Sequence, residues 1–160
     1  MLIVKAERRD LPAILALQRI AYQSEAALLN DYEIPPLKQA LEDVAEEFEK
    51  GLFLKGVLDG KIIGSVRAFS DGHTCYVGKL VVSPEHQKKG YGTQLLSEIE
   101  KVMPHARYEL FTSNKSVGNL KLYEKMGYRR FQEKRVNPYL CFIFLEKVIQ
   151  AMQGEKKCIR

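Results

Sequence analysis

Two Asp-Gly pairs, Asp59-Gly60 and Asp71-Gly72, separate three apolar runs in the middle of the chain. The runs read LFLKGVL, KIIGSVRAFS and TCYVGKLVV, and each has the length of an ordinary strand. Asp-Gly favours the tight turn between antiparallel strands, because glycine tolerates the positive φ that such a turn requires. The pattern therefore predicts an antiparallel meander over about residues 52–82.

Helical spacing of apolar residues flanks this meander on both sides. Before it, the strand LIVKA precedes two predicted helices, the first beginning near Pro12 and the second ending at Gly51. After it, helices ending near Val102 and Gly127 alternate with the strand RYELFT, and the strands YRRFQEKR and YLCFIFLEK follow. The order β-α-α-β-β-β-α-β-α-β-β predicts a mixed α/β fold whose last two helices cross over between strands of a central sheet.

The composition is that of a globular chain: of the 160 residues, 46% are hydrophobic and 28% are charged. No composition shift marks a boundary, so we predict one domain over residues 1–150 and a C-terminal tail over residues 151–160. The first residues form too short an apolar run for a signal peptide, and no run approaches the ~18 apolar residues of a membrane span. We expect a cytoplasmic protein that does not bind membranes.

The charged and sulfur-containing residues exclude some functions. A net charge of +5 favours anionic ligands, but the basic residues are dispersed, so nucleic-acid binding ranks last among the functions considered. The cysteines Cys75, Cys141 and Cys158 lack the spacing of a disulfide framework or a zinc site. We expect reduced thiols and no bound metal.

The segment SPEHQKKGYGTQLL, residues 83–96, joins the end of the meander to a helix that starts near Gly90. Backbone N–H groups at a helix N-terminus carry partial positive charge and bind phosphate, and Lys88 and Lys89 add full charges beside them. Gly90 and Gly92 let an anion approach the backbone closely. By itself the segment fits a lysine-rich solvated turn at least as well as a diphosphate site.

A second motif favours the diphosphate site. QKKGYG, residues 87–92, matches the Gln/Arg-x-x-Gly-x-Gly/Ala signature of the GNAT N-acetyltransferase superfamily, and KLVVSPEHQ is similar to the family's fourth strand and its lead-in. NLKLYEKMGYRR, residues 119–130, resembles the family's LYEKxGF helix, with Tyr128 in place of the usual Phe. The two motifs and the element order together resemble this family over nearly the whole chain.

The resemblance implies an acetyl-coenzyme A site and a mixed sheet whose fourth and fifth strands splay apart. Backbone N–H groups of the loop would bind the diphosphate, and the end of the preceding strand would pair with the pantetheine arm. Asn119 resembles a side chain that faces the coenzyme, and Ser116 stands where the family often has Asn. The cofactor-binding residues implied are Leu80, Val81, Val82, Gln87, Lys88, Lys89, Gly90, Tyr91, Gly92, Thr93, Ser116 and Asn119.

The implied reaction is direct attack of a primary amine on the acetyl thioester. Tyr123 matches the family tyrosine at the leaving sulfur, whereas the same pattern without the motif would indicate a core aromatic. The fourth strand holds no acid, so the identity of the base is open. The candidates are Glu109 on the next strand and a water relay. If Glu109 is not the base, it is a surface glutamate. Glu25 can line the substrate side of the site, or it can lie on a solvated face of its helix.

Two functions from different classes follow from these motifs. The first is an N-acetyltransferase that acts on a small-molecule amine or on a protein or peptide amine. The alternative is a coenzyme A-binding sensor or assembly module without turnover. The apolar strand YLCFIFLEK also allows a homodimer, although a strand buried within the monomer would have the same pattern.

Overall fold

The structure of the protein is a computed structural model, and it describes residues 1–149. The predicted tail, residues 151–160 with Cys158, lies outside the described residues. The strands are β1 (Leu2–Lys5), β2 (Leu52–Leu58), β3 (Lys61–Ser70), β4 (Thr74–Val82), β5 (Arg107–Ser113), β6 (Arg129–Asn137) and β7 (Leu140–Val148). The helices are α1 (Leu11–Ala21), α2 (Gln23–Leu29), α3 (Pro35–Lys38), α4 (Leu41–Lys50), α5 (Tyr91–Val102) and α6 (Val117–Lys125).

The strands follow the order β1-β2-β3-β4-β5-β7-β6. The pairs β1–β2, β2–β3, β5–β7 and β6–β7 are antiparallel, whereas β4 pairs with β5 in parallel, with Thr74 opposite Arg107 and Tyr76 opposite Glu109. The turn between β2 and β3 has Asp59 at φ 51° and Gly60 at φ 77°, which is the left-handed pair of a tight hairpin. The predicted mixed α/β fold is therefore confirmed, including the strands of the meander.

The helical region before β2 differs from the prediction of two helices. The first predicted helix divides at Tyr22 into α1 and α2, and α2 ends at Asn30, whose φ of 50° is left-handed. The second divides at Gln39, where ψ of 131° is incompatible with a helix. The prolines Pro35 and Pro36 start the short α3, because proline is tolerated only in the first turn of a helix.

The described residues form two compact units. The first contains Met1–Phe69 and Val77–Ile99, and the second contains Ser70–Tyr76 and the described chain from Glu100 onwards. In the first unit, the faces of α1 and α4 pack on Phe53 of β2. The residues of this core cluster are Ala6, Leu11, Ile14, Leu15, Val44 and Phe53. The prediction of one domain over residues 1–150 stays a prediction.

The second unit is built around a buried network at the end of α5. The Tyr128 hydroxyl donates to Glu100 Oε2 at 2.8 Å, and Lys147 Nζ donates to Glu100 Oε1 at 2.7 Å. The Tyr108 hydroxyl oxygen lies 2.9 Å from both the Glu100 and the Met103 carbonyl oxygens, and its single proton can be donated to either of them. These contacts fix the end of α5 against strands β5 and β7.

Within residues 1–149, none of the helices has the length and the apolar character that crossing a membrane would require.

Candidate functional site

The loop that follows β4 forms a left-handed turn before α5. After a short 3-10 helix at Pro84–His86, the chain has positive φ at Lys88, 62°, and at Gly90, 85°. The Gln87 side-chain amide donates to the Val82 carbonyl at 3.0 Å and closes the loop onto the end of β4. Helix α5 then begins at Tyr91.

The geometry of this loop suits an anion. Alternating left-handed residues turn successive backbone N–H groups toward one side, and the first N–H groups of the 12-residue helix α5 have no carbonyl partner within the helix. Lys88, Lys89 and Gly90 are exposed, so a ligand can reach them. A Cβ at Gly90 would meet no heavy atom within 4 Å, so it is the positive φ that favours glycine there. The donors present fit a diphosphate group.

A histidine lies beside this loop, at a position where the sequence indicated a solvent-exposed imidazole. His86 Nδ1 is buried and has no hydrogen-bond partner among the described residues, and its ring centroid lies 6.5 Å from that of Tyr91. An unpartnered buried nitrogen is uncommon in a folded protein, because burial removes it from water without compensation. The motif alone gave no signal for this position.

The end of β4 leads into the same loop. Val81 is buried, whereas Leu80 and Val82 are half-buried. Immediately before them, Lys79 has φ of 41°, which interrupts the extended backbone of the strand. A non-glycine residue in this region stores backbone strain that the surrounding contacts have to hold. The strand is therefore irregular just before the three residues that the resemblance assigns to the pantetheine arm.

Tyr123 lies on α6, in the second unit. Its side chain is 6% exposed, and its ring is tilted 56° to that of Tyr128, with centroids 6.2 Å apart. Helix α6 ends directly after it, because Gly127 has φ of 97° and the Tyr128 N–H donates back to the Tyr123 carbonyl at 3.0 Å. This turn ends α6 at Lys125, two residues after Tyr123.

The two other predicted residues lie at the start of α6, where Ser116 is the N-cap residue and Asn119 is in the first turn. Ser116 is 5% exposed, and its hydroxyl lies 3.2 Å from that of Ser113. Asn119 is exposed, and its side-chain amide donates weakly to the Thr112 hydroxyl at 3.4 Å. Ser116 is thus engaged inside the protein, whereas Asn119 faces solvent.

Glu109 forms part of an ion-pair network on β5 and β7. Its carboxylate lies 2.9 Å from Arg107 Nη1, and Glu146, its register partner, lies 3.0 Å from Arg107 Nη2. The Arg107 guanidinium also lies over the Phe131 ring, 5.1 Å from its centroid. The ion pair with Arg107 gives Glu109 a structural role. The role of Glu109 as a base stays a prediction.

Glu25 lies on α2, close to the phenol of Tyr22. Burial raises the pKa of Tyr22 to about 12, while nearby Arg67 lowers that pKa and Glu25 raises it further. Both charged groups therefore lie within electrostatic reach of the Tyr22 hydroxyl. The structure brings Glu25 beside charged residues that the sequence analysis did not single out.

Those residues form a polar cluster in the first unit, which we call the Arg67 cluster. Arg67 is 6% exposed; its Nη1 pairs with Glu47, and its Nη2 donates to Gln18 Oε1 at 2.6 Å. Gln18 in turn donates to the Pro36 carbonyl and to Gln39 Oε1, each at 2.9 Å. The cluster consists of Gln18, Gln39, Glu47, Arg67 and Lys79.

Glu47 is the shared acceptor of this cluster. Besides Arg67, it pairs with Lys79 at 3.3 Å. Burial raises the pKa of Glu47, but Arg67, Lys79 and a hydrogen bond from Gln39 together lower that pKa below its ordinary value. Burial also lowers the pKa of Lys79, an effect that Glu47 opposes. The one signal for the cluster in the sequence is a charged residue inside each of two apolar runs, Arg67 in KIIGSVRAFS and Lys79 in TCYVGKLVV.

We expect Glu47→Gln to destabilise the protein by about 1 kcal/mol at pH 7. This loss is smaller than that for a fully buried ion pair, because the Glu47 side chain is 38% exposed. The folded pKa of Glu47 lies below its ordinary value of 4.5, so its contribution is complete above pH 4.5 and is lost as the pH falls through the folded pKa. Urea unfolding at several pH values measures this difference. Glu46→Gln, at an exposed position of α4, is the control; a difference from wild type that stays constant down to pH 3 would contradict the assignment.

No group of three or more His, Cys, Asp or Glu residues that could hold a metal ion occurs within the described part of the chain.

Comparison with known proteins identifies relatives of this chain. It is 28% identical over 118 residues to the UPF0157 protein YqkA of Bacillus subtilis, covering 73% of this chain and 34% of YqkA. It is 37% identical over 73 residues to the uncharacterized protein YdhI of the same organism, covering 44% of each. The chain thus spans less than half the length of these two curated relatives.

Solved structures show the same fold. The PaiA N-acetyltransferase of Thermoplasma acidophilum in complex with coenzyme A superimposes with a TM-score of 0.79 at 20% identity, covering 92% of this chain and 98% of that one. The ribosomal-protein-S18-alanine N-acetyltransferase of Escherichia coli gives 0.77 at 18% identity, covering 92% and 93%. The profile of the acetyltransferase (GNAT) family matches residues 12–128. Since this match spans well over half of the chain, the protein belongs to the acetyltransferase (GNAT) family.

Proposed function

We propose that this protein transfers an acetyl group from acetyl-coenzyme A to a primary amine. The observation that carries the proposal is the loop after β4, whose left-handed residues Lys88 and Gly90 precede the N-terminus of α5. In this proposal the backbone N–H groups between Gln87 and Thr93 hold the diphosphate, with Lys88 and Lys89 adding charge beside it. Solved relatives of the same fold, including PaiA, contain coenzyme A.

The remaining residues take the roles that the family motifs suggest. Leu80, Val81 and Val82 pair with the pantetheine arm, and a backbone N–H near Leu80 stabilises the oxyanion that forms when the amine attacks. Asn119 and Ser116 contact the coenzyme from α6. The separation of β4 from β5 that would admit the arm stays part of this proposal.

Tyr123 is proposed to assist the leaving thiolate. The amine nitrogen forms a bond to the thioester carbon, the C–S bond breaks, and the sulfur leaves with the electron pair. A phenol with an ordinary pKa of ~10 is a weaker acid than a thiol near ~8.5, so full proton donation is uphill by about 2 kcal/mol. We therefore assign Tyr123 a hydrogen bond to the thiolate as its main contribution.

The acceptor has to lose a proton before it attacks. At pH 7, about one alkylamine in 2,500 is neutral, which corresponds to roughly 4.6 kcal/mol. Glu109 and a water relay are the proposed routes for this proton, and Glu25 is proposed to line the substrate side. Glu109 is held by Arg107, and taking up the proton would neutralise the negative partner of that ion pair.

The acceptor is proposed to be a small amine or the amine of a protein or peptide. Two solved relatives of the same fold are named as ribosomal-protein alanine N-acetyltransferases, which favours the second class. A homodimer remains a proposal, but β7 pairs with β5 on one side and with β6 on the other, so a second copy could pack on its face and could not pair with its edge. A coenzyme A-binding sensor without turnover is the alternative function.

A thiol-release assay with a panel of amines distinguishes the two functions. We expect release of coenzyme A that depends on both acetyl-coenzyme A and an amine. The sensor would instead bind the coenzyme without releasing thiol in the presence of any amine.

Acetyl-coenzyme A is expected to raise the melting temperature, because a ligand that binds only the native state stabilises it. Gly90→Ala should weaken this binding by about tenfold, since a Cβ at φ 85° shifts the backbone of the loop at a cost of about 1–2 kcal/mol. Calorimetric titration and thermal unfolding measure the two effects.

The matched control is Gly72→Ala, which introduces the same kind of backbone strain at φ 97°, in a turn where an added Cβ also meets nothing within 4 Å. This variant should lose stability and keep its affinity for acetyl-coenzyme A. Equal affinity of the Gly90→Ala and wild-type proteins would remove the loop from the proposed site.

A further inference from the structure

The Arg67 cluster contains more positive than negative charge. Of its five side chains, Arg67 and Lys79 are cations, and Glu47 is the one carboxylate that both of them contact. Arg67 makes the closer contact, whereas the 3.3 Å between Lys79 Nζ and Glu47 Oε1 lies just beyond the usual range for a hydrogen bond. Lys79 is therefore the loosely held member of the cluster, and an anion beside it would be favoured.

A second observation indicates that the cluster lacks an acceptor atom. Arg67 Nε is buried and has no hydrogen-bond partner within residues 1–149, although the other two guanidinium nitrogens are bonded to Glu47 and Gln18. A buried charged donor without a partner is costly. An oxygen-bearing anion next to the guanidinium would supply the missing acceptor.

The position of Lys79 makes it accessible to a ligand. Its side chain is 24% exposed, and its backbone has the positive φ that interrupts β4. Along the chain it directly precedes Leu80, and consecutive Cα atoms lie 3.8 Å apart. If Leu80–Val82 hold the pantetheine arm as proposed above, a group bound by Lys79 lies close to the reacting thioester.

Acidic groups of the same unit complement the cations. Glu25 lies in the first turn of α2, whose N-cap residue is Tyr22, and Glu25 and Arg67 both influence the pKa of the Tyr22 phenol. An acceptor with an ammonium group and an anionic group would therefore meet the carboxylate of Glu25 and the cation of Lys79. This arrangement of charges is complementary to a zwitterion rather than to a polyamine.

We propose that the acetyl acceptor is an amine that also carries a carboxylate, and that Lys79, backed by Arg67, binds this carboxylate. This inference rests on the proposed acetyl transfer, because the bound amine is an acceptor only if that reaction takes place. Binding of the acid at Lys79 can nevertheless be measured without turnover.

The test is a binding comparison of acids with their carboxamides. Glycine, β-alanine, 4-aminobutyrate and glutamate are titrated into the protein by calorimetry, with and without coenzyme A, beside the amide of each acid. We expect at least one acid to bind about 10- to 100-fold more tightly than its amide, as a charge-assisted hydrogen bond would provide. No preference for any acid over its amide would overturn the proposal.

Variants of Lys79 locate the effect. Lys79→Met should abolish the preference for the acid, and Lys79→Arg should restore part of it by keeping the charge. Lys55→Met is the matched control, because Lys55 is also a partly buried lysine of the first unit, 2.8 Å from Asp10. An acid preference that survives in Lys79→Met would overturn the assignment, as would tighter binding of phosphoethanolamine than of every acid.

The result of the acid-binding test can be distinguished from the result for acetyl transfer. Failure of coenzyme A to bind would count against the proposed function, while an acid preference in the coenzyme-free protein would still support the Lys79 site. Conversely, turnover of neutral amines with no acid preference would support acetyl transfer and overturn the anionic acceptor.

Discussion

Tyr123→Phe is expected to lower kcat by about 10- to 100-fold, with little change in the affinity for acetyl-coenzyme A. A hydrogen bond to a charged group contributes about 1.5–3 kcal/mol, and each 1.4 kcal/mol corresponds to a factor of ten in rate. The bond to the sulfur is strongest when the thiolate forms, so its loss affects the transition state more than the bound substrate. Steady-state kinetics with the amine that gives the highest turnover measures this change.

Tyr128→Phe is the matched control for this experiment. Tyr128 is a second buried tyrosine, 2% exposed, and its ring lies against that of Tyr123. Its hydroxyl donates to Glu100, so its removal should lower stability by about 1–3 kcal/mol and leave kcat within about twofold. If Tyr123→Phe retains the wild-type rate, Tyr123 is a core aromatic and takes no part in the reaction.

Arg67→Met is expected to cause the largest loss of stability, about 3–5 kcal/mol at pH 7. The substitution leaves the carboxylate of Glu47 and the side-chain oxygen of Gln18 without their main donor, and breaking a buried ion pair from one side is more costly than replacing both partners. It also removes the guanidinium that lies 4.5 Å from the centroid of the Phe53 ring. Urea unfolding and thermal melting measure the effect; for a chain of this size the melting temperature should fall by about 10 °C.

Two further variants test the physical reason for this loss. Arg130→Met removes a guanidinium that pairs with Glu124 at 3.0 Å on the surface, where side chains are nearly half exposed, and should cost less than about 1 kcal/mol. The double variant Arg67→Met, Glu47→Met should be more stable than Arg67→Met alone, because both partners of the close pair are replaced and Lys79 loses only its longer contact with Glu47. If Arg67→Met is as stable as wild type, the Arg67 cluster does not hold α1, α4 and β3 together.

The family resemblance and the element order were predictable because their signals are local. The turn at Asp59 and Gly60 needs two neighbouring residues with positive φ, and the structure has both. The glycine-containing loop after β4 likewise depends on a few consecutive residues; its place was predicted, whereas the left-handed backbone of Gly90 was not. Strand lengths and the helices α5 and α6 follow from hydrophobic periodicity over short windows.

The division of the first helical region was not predictable from periodicity. Apolar spacing continues through Tyr22 and Gln39, whereas the structure breaks the helices there. Gln18 contributes to these breaks by donating to the Pro36 carbonyl and to Gln39, which lie 18 and 21 positions away along the chain. A contact over such a separation leaves no periodic signal in the sequence.

The same reason explains which parts of the candidate site the sequence could and could not determine. By itself the sequence determined the meander and the positions of the loop glycines, because turn chemistry and periodicity act between near neighbours, while the resemblance of its two motifs indicated the family. Only the tertiary structure decided that Arg67 meets Gln18 across 49 positions, that Lys79 shares Glu47, and that Glu109 is held by Arg107. The partner of a charged side chain depends on which elements pack together, and that packing is set by the whole fold rather than by the residues beside it.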